Sequence, residues 1–118
     1  MKSQENSKRY IENFLLQYGG EVSFISINFC PYCMATKNLL TKLAIPFKEI
    51  KIDDPDHVAN FEVIREKLIM AYNFRTFPQI FIGKEHVGGY QELKSLFDSK
   101  ELYDKLNVLK IKHKKEEK

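Results

Sequence analysis

The chain has 118 residues, of which 43% are hydrophobic and 30% charged, enough to bury the core of one folded domain without covalent staples. Its net charge of +3 lies in residues 110–118, where five lysines outnumber two glutamates, so a basic surface for nucleic acid is not expected. No apolar run is long enough to cross a bilayer and no signal-peptide pattern is present, which argues against a membrane partner. We expect a single domain over residues 1–109 and a basic, disordered tail over residues 110–118.

The first predicted elements are a helix and a strand. An apolar stripe at helical spacing precedes the strand and is ended by Gly19 and Gly20. The stripe consists of Ile11, Phe14, Leu15 and Tyr18. The apolar run 22–27 then predicts a buried strand, so we expect an added N-terminal helix that packs on a sheet.

A strand–helix–strand unit is predicted next. Asn28 and Phe29 indicate a turn, and the apolar spacing from Pro31 to about Leu43 indicates a helix. Pro31 suits the first helical position, because the N–H that proline lacks would have no partner there. Alternation over residues 47–52 predicts a second strand, which completes a right-handed parallel unit.

The second half of the chain predicts a helix, a hairpin and a helical end. Asp54 and Pro55 have the cap and first-turn character of a helix that continues to Asn73. Residues 79–82 and 86–88, joined by a turn at 83–84, predict a hairpin. One helix or a pair of helices is expected from residue 91 to about residue 106.

Cys30 and Cys33 are the only cysteines and lie at the predicted start of a helix. Cys30 is expected at the N-cap, where free amides and the positive helix end stabilise a thiolate, and Cys33 one turn in and more covered. The exposed thiol can attack a disulfide and the covered thiol can resolve the mixed disulfide. A zinc site is the alternative, but there is no second cysteine pair and the histidines lack ligand spacing, so no metal is expected. Because no cysteine is spare for a structural disulfide, the pattern favours a reducing cytoplasm.

Three segments together resemble a dithiol glutaredoxin with some phage-type features. They are Cys30-Pro31-Tyr32-Cys33 after a strand, the run from Arg75 to Lys84, and His86-Val87-Gly88-Gly89, in the family's order and spacing. The resemblance covers about residues 21–97. It implies an α/β, thioredoxin-like fold: a four-stranded mixed sheet flanked by helices, to which the N-terminal helix is added.

The resemblance also implies the role of each site residue. Cys30 would take glutathione as a mixed disulfide, and Cys33 would resolve it. Phe77-Pro78 would be a cis peptide bond that presents the Phe77 backbone to the cysteinyl unit of glutathione, while Gly88 and Gly89 would let the backbone approach its γ-glutamyl end. The glutathione-binding residues implied in this way are Tyr32, Arg75, Thr76, Phe77, Pro78, Gly88, Gly89, Tyr90 and Gln91.

Two positions depart from the family pattern. Many glutaredoxins have a lysine three residues before the first cysteine, where this chain has Ile27, so Lys37 or Arg75 is the candidate substitute cation. Tyr90-Gln91-Glu92 replaces the usual small residue and acidic pair, and an aromatic residue there is typical of phage-type glutaredoxins.

The implied activity is glutathione-dependent thiol–disulfide exchange by a monomer. Its partners would be glutathione and disulfide or glutathionylated proteins, with ribonucleotide reductase as an implied acceptor. One alternative is a thioredoxin-like electron donor served by a thioredoxin reductase. The other is a glutathione-ligated iron–sulfur cluster module, which Pro31 disfavours because it stiffens the backbone where the family's cluster-binding members usually have Gly or Ser.

Overall fold

Four strands form one mixed sheet in the computed structural model, which describes residues 2–114. They are β1 (Val22–Ser26), β2 (Lys48–Lys51), β3 (Gln79–Ile82) and β4 (Glu85–Gly88), in the order β2-β1-β3-β4. β2 is parallel to β1, whereas β3 is antiparallel to both β1 and β4. Every residue of β1 and β3 is buried, as expected for central strands that are covered on both faces.

Five α-helices cover the two faces of this sheet. They are α1 (Lys2–Tyr18), α2 (Pro31–Lys42), α3 (Phe61–Tyr72), α4 (Tyr90–Asp98) and α5 (Glu101–Val108). Successive residues of β1 point to opposite faces, so Ile25 packs with α1 and α3 while Phe24 packs with α2, α4 and α5. The predicted fold is therefore confirmed, including the N-terminal helix packed on the sheet. None of the described helices is both long and apolar enough to cross a membrane.

The predicted start of α3 at Asp54 and Pro55 is wrong. Residues 52–57 form turns, Val58–Asn60 is a short 3-10 helix, and α3 begins only at Phe61. The Asp54 carbonyl accepts hydrogen bonds from the amides of His57 and Val58, which closes a turn. The Asp54 carboxylate is engaged by the side chain of Asn28, so it is used in a tertiary contact rather than as a helix cap.

The helical end of the chain is a pair of helices. α4 starts at Tyr90, one residue before the predicted start, and it is separated from α5 by Ser99 and Lys100. Lys100 has a left-handed backbone with φ of 70°, a conformation that ends a helix and redirects the chain.

Residues 110–114, which we expected to belong to a disordered tail, return to the body of the protein instead. Ile111 is buried in the cluster formed by α2, α4 and α5. The Lys114 amide donates a hydrogen bond of 2.6 Å to the Leu43 carbonyl at the end of α2. Ile111 is a single apolar residue among lysines, so the charge pattern of the segment did not predict its contact with the core. Residues 115–118 of the expected tail lie outside the described part of the chain.

We predict that Ile111→Ala lowers the free energy of unfolding by about 2 kcal/mol, because it removes a buried side chain from the core. Val108→Ala is the matched control, since Val108 is an exposed apolar residue nearby and its truncation is expected to change stability by less than about 0.5 kcal/mol. Urea denaturation of the two variants provides the measurement. Equal stabilities would show that residues 110–114 contribute no packing energy.

Candidate active site

Cys30 and Cys33 form a disulfide at the start of α2, with their Cα atoms 5.2 Å apart. Cys30 is the N-cap and Pro31 the first helical residue, as predicted. The Cys33 amide donates to the Cys30 Sγ at 3.2 Å, so the helix start directs an N–H at this sulfur. Cys30 is half-buried and Cys33 is buried. The two sulfurs are therefore unequal in both access and electrostatic environment.

The turn before β3 lies against Cys30. The Phe77-Pro78 peptide bond is cis, as predicted, and the Phe77 carbonyl oxygen lies 3.7 Å from the Cys30 Sγ. Pro78 is buried, whereas Arg75 and Thr76 are exposed just before it. The Phe77 backbone beside the sulfur is thus followed directly by a buried proline.

Gly88 and Gly89 connect β4 to α4 and pack against this turn. Gly88 has φ of 120°, and a Cβ there would lie 2.8 Å from the Cγ of Glu92. A Cβ on Gly89 would meet the Phe74 ring at 3.3 Å and the Pro78 carbonyl at 3.5 Å. Gly88 is therefore required by its backbone conformation and close packing, whereas a side chain at Gly89 would make the Phe74 ring shift by a few tenths of an ångström. The Gly89 amide donates to the Glu92 carboxylate at 2.8 Å, which caps α4.

Tyr32 and Tyr90 meet across the site. Their rings stack with centroids 5.9 Å apart and planes 24° apart, joining α2 to the first residue of α4. Tyr32 is 56% exposed, while Tyr90 is half-buried against the core. Gln91 is exposed on the first turn of α4. The predicted site residues from the three motifs thus lie on neighbouring elements around Cys30.

The two candidate cations differ in their surroundings. The Nζ of Lys37 lies 4.0 Å from a carboxylate oxygen of Glu49, and the other oxygen of Glu49 accepts from the Ser26 hydroxyl. Arg75 is exposed on the turn that precedes Pro78. Ile27 is half-buried and packs on the cluster beneath α1 and α3. The Glu49 carboxylate therefore competes for the Lys37 ammonium, and Arg75 remains the other candidate cation.

Asn28 anchors the approach to Cys30, a role that the sequence analysis missed. Its amide donates to both carboxylate oxygens of Asp53 at 3.0 Å, and its side-chain nitrogen donates to Asp53 at 3.0 Å and to Asp54 at 2.9 Å. The signal was available, because polar residues follow both parallel strands β1 and β2 at their carboxyl ends, which meet at one edge of the sheet.

A second hydrogen-bond network, also not predicted from the sequence, supports the cis-proline turn on the side of Phe74 and β4. The Gln79 side chain donates to the Phe74 carbonyl at 3.0 Å, so its oxygen faces the Nε2 of His86, also at 3.0 Å. The His86 ring stacks on Tyr72 with centroids 4.3 Å apart. Burial lowers the pKa of His86 from 6.5 to about 4, and the smaller effects of the Glu92 carboxylate and of a backbone hydrogen bond oppose this shift. His86 is thus neutral at physiological pH and donates from Nε2.

No group of three or more His, Cys, Asp and Glu side chains among residues 2–114 is placed to hold a metal ion. The chemistry of the site rests on its two sulfurs. A reversible disulfide at a helix start, facing a cis-proline turn on this sheet, defines the class: the protein is a thiol–disulfide oxidoreductase of thioredoxin-like fold.

Comparison with known proteins identifies the family within that class. A family model described as Glutaredoxin matches residues 22–87. The chain is 38% identical to glutaredoxin-1 of Sus scrofa over 99 residues, which cover 82% of this chain and 91% of that protein. It is 35% identical to a glutaredoxin of Solanum lycopersicum over 71 residues, covering 60% of this chain and 63% of that protein. The chain belongs to the glutaredoxin family.

The fold comparison agrees with this assignment. The structure of a buckwheat glutaredoxin–glutathione complex superposes with a TM-score of 0.75 and covers 91% of this chain and 93% of that one. The sequence identity of 21% makes this a likeness of fold.

The low pKa of His86 predicts a pH-dependent stability. Between pH 6.5 and 4 the unfolded chain binds more protons at this residue than the folded protein does, so stability is lost as the pH falls through that window. After allowance for the partial exposure of the ring, the loss is about 1–2 kcal/mol. His86→Gln keeps a neutral hydrogen-bond donor and removes the titrating group. The variant should therefore not show this loss of stability between pH 6.5 and 4. Urea denaturation at several pH values tests the difference. Parallel pH profiles for the two proteins would contradict the prediction.

Proposed function

We propose that the protein reduces protein disulfides and glutathione mixed disulfides at the expense of glutathione, with Cys30 as nucleophile and Cys33 as resolving thiol. The observation that carries the proposal is the surroundings of the Cys30 Sγ. It receives an amide hydrogen bond at 3.2 Å from within α2 and lies 3.7 Å from the carbonyl oxygen of the half-buried Phe77. The sulfur that a substrate can reach is therefore the one that the helix start stabilises as an anion.

The reduction of a substrate disulfide takes two exchange steps. The Cys30 thiolate attacks one substrate sulfur, which forms a Cys30–substrate disulfide and releases the other sulfur as a thiolate that takes up a proton. Cys33, deprotonated, then attacks the Cys30 Sγ and releases the second substrate thiol. The product is the Cys30–Cys33 disulfide present in this structure. The substrate gains two electrons and the protein loses two.

Two glutathione molecules return the electrons. The first attacks the Cys30 Sγ and frees Cys33, and the second attacks the sulfur of the bound glutathione, which frees Cys30 and releases glutathione disulfide. Membership of the family and the glutathione complex of the buckwheat protein, which has the same fold, support glutathione as the reductant. The proposed reaction starts from both cysteines in the reduced form, so we also propose a reducing compartment such as the cytoplasm.

The groove beside Cys30 offers backbone contacts to a bound tripeptide. The Phe77 backbone can pair with the cysteinyl unit in strand-like fashion. The first amides of α4, at Tyr90 and Gln91, have no partner within their own helix and favour a carboxylate. The Gly89 amide is engaged by the Glu92 carboxylate, which adds a negative charge to the same helix end. Charge complementarity toward the carboxylates of glutathione is therefore reduced at this end and depends on Arg75.

Replacing each cysteine tests the assignment of roles. We expect Cys30→Ser to abolish turnover of both substrate types. Cys33→Ser should retain turnover of a small glutathione mixed disulfide and lose reduction of a protein disulfide, because only the second reaction needs a resolving thiol. The assay couples glutathione and glutathione reductase to NADPH oxidation. Loss of mixed-disulfide turnover in Cys33→Ser alone would reverse the assignment. Turnover with a thioredoxin reductase in place of glutathione would favour the alternative electron donor.

Restoring the cation at position 27 tests the charge argument. Ile27→Lys should lower the glutathione KM by up to about fivefold, equivalent to about 1 kcal/mol, and make it sensitive to salt. Ile27→Met is the uncharged control, and thermal unfolding of both variants checks for the cost of a charge at a half-buried position. An unchanged KM in a folded Ile27→Lys protein would mean that Arg75 already supplies the cation.

A further inference from the structure

We propose that Phe29 is a docking residue for polypeptide substrates. Its ring would pack on an apolar side chain next to the substrate cysteine that Cys30 attacks. This inference rests on the proposed function of Cys30 as a nucleophile toward disulfides. The proposal is that Phe29, which lies outside the proposed glutathione groove, determines which substrate disulfides react fastest with Cys30.

The side chain of Phe29 is exposed, and the backbone on both sides of it is fixed by hydrogen bonds. Its side chain is fully exposed, and its φ of 57° places it in the left-handed region that aromatic residues seldom occupy. The residue before it, Asn28, is fastened by hydrogen bonds to Asp53 and Asp54. The residue after it, Cys30, is fixed as the N-cap of α2, and its carbonyl accepts from the Met34 amide at 3.1 Å. The backbone of Phe29 is therefore held on both sides by its neighbours in the chain.

No contact in the described part of the protein offsets the free-energy cost of the exposed Phe29 ring and its left-handed backbone. A fully exposed phenylalanine forgoes the burial that normally stabilises a large apolar side chain. The left-handed backbone adds a conformational cost that glycine or asparagine would largely avoid at this position. Residues held in unfavourable backbone conformations cluster at functional sites, and this one directly precedes the nucleophile.

Exposed apolar side chains lie on both sides of Cys30 along the chain, since Phe29 directly precedes it and Tyr32 and Met34 follow it on α2. Tyr32 and Met34, on the first turn of α2, are 56% and 66% exposed. A disulfide that reacts with Cys30 must bring one sulfur to bonding distance of the Cys30 Sγ, so the chain that carries it has to lie over the residues beside Cys30. An apolar side chain flanking that substrate cysteine would leave water on contact with the Phe29 ring.

Glutathione gains little from the Phe29 ring. It is a short tripeptide without a large apolar side chain, and its proposed groove is formed by Phe77, Pro78 and the start of α4. The Phe29 ring, being fully exposed, packs against none of them. Phe29 should therefore accelerate the attack on polypeptide disulfides with apolar flanks and leave the attack on small disulfides unchanged.

The test follows a single attack by Cys30 and needs no glutathione. The protein is reduced with dithiothreitol, desalted, and mixed with three disulfides of 5-thio-2-nitrobenzoate, whose release is followed by absorbance. One probe carries free cysteine, one a peptide with Leu on each side of its cysteine, and one the same peptide with Ser at both positions. Because the nitrobenzoate thiol is the better leaving group, Cys30 attacks the cysteine sulfur of each probe.

We expect the wild-type protein to react with the Leu peptide about three- to tenfold faster than with the Ser peptide. Phe29→Asn removes the ring and keeps a residue that tolerates the left-handed backbone, so the preference should disappear while the rate with free cysteine stays the same. Phe29→Leu should restore part of the preference. Leu16→Asn, a change of an exposed apolar residue on α1, serves as the matched control and should retain the full preference.

Two results would overturn the proposal: an unchanged preference for the Leu peptide in Phe29→Asn, or an equal slowing of all three probes, which would mean that Phe29 acts on the reactivity of Cys30. Failure of the proposed function has a different signature, since a protein without glutathione-coupled turnover could still show the preference in this single reaction.

Discussion

The N-cap position of Cys30 is the constraint on which the rest of the site depends. A cysteine at the start of a helix receives the first amide hydrogen bond through its sulfur, and here the Cys33 amide makes that contact at 3.2 Å. The same turn of helix carries Cys33 into the core, so one local conformation produces both the reactive sulfur and its protected partner. Pro31 fits this arrangement because it has no N–H to satisfy in the first turn.

The surrounding fold holds this cap from two sides. Asn28, tied to Asp53 and Asp54, fixes the chain that enters α2. The Gln79–His86 pair fixes the Phe74 carbonyl, and with it the start of the turn that carries Phe77. Both networks consist of polar groups that satisfy one another, so each holds its loop without leaving an unpaired buried group. The position of the Phe77 carbonyl near the Cys30 sulfur therefore depends on both hydrogen-bond networks together.

Local pattern predicted most of the helices and strands, and the family resemblance supplied their arrangement in a thioredoxin-like sheet. The periods of the apolar residues located the strands and α1, α2 and the hairpin, and the cysteine motif with Pro31 located the cap. The start of α3 was missed because Asp54 resembles a helix cap locally, whereas its carboxylate is used by Asn28 from another element. Ile111 was missed because it is a single apolar residue among lysines, and only the tertiary structure shows that it fills the core. The contact of Gln79 with His86 joins two strands and has no periodic signal.

The hydrogen bond between Lys114 and Leu43 has a consequence for the redox cycle. α2 is fastened at its first turn by the Cys30 cap and the Asn28 network, and just beyond its last turn by the returning C-terminal segment. A helix restrained at both ends cannot slide or unwind to follow a bond that opens and closes at its tip. We therefore expect the opening and closing of the Cys30–Cys33 bond to move mainly the two side chains, with little reorganisation of the scaffold.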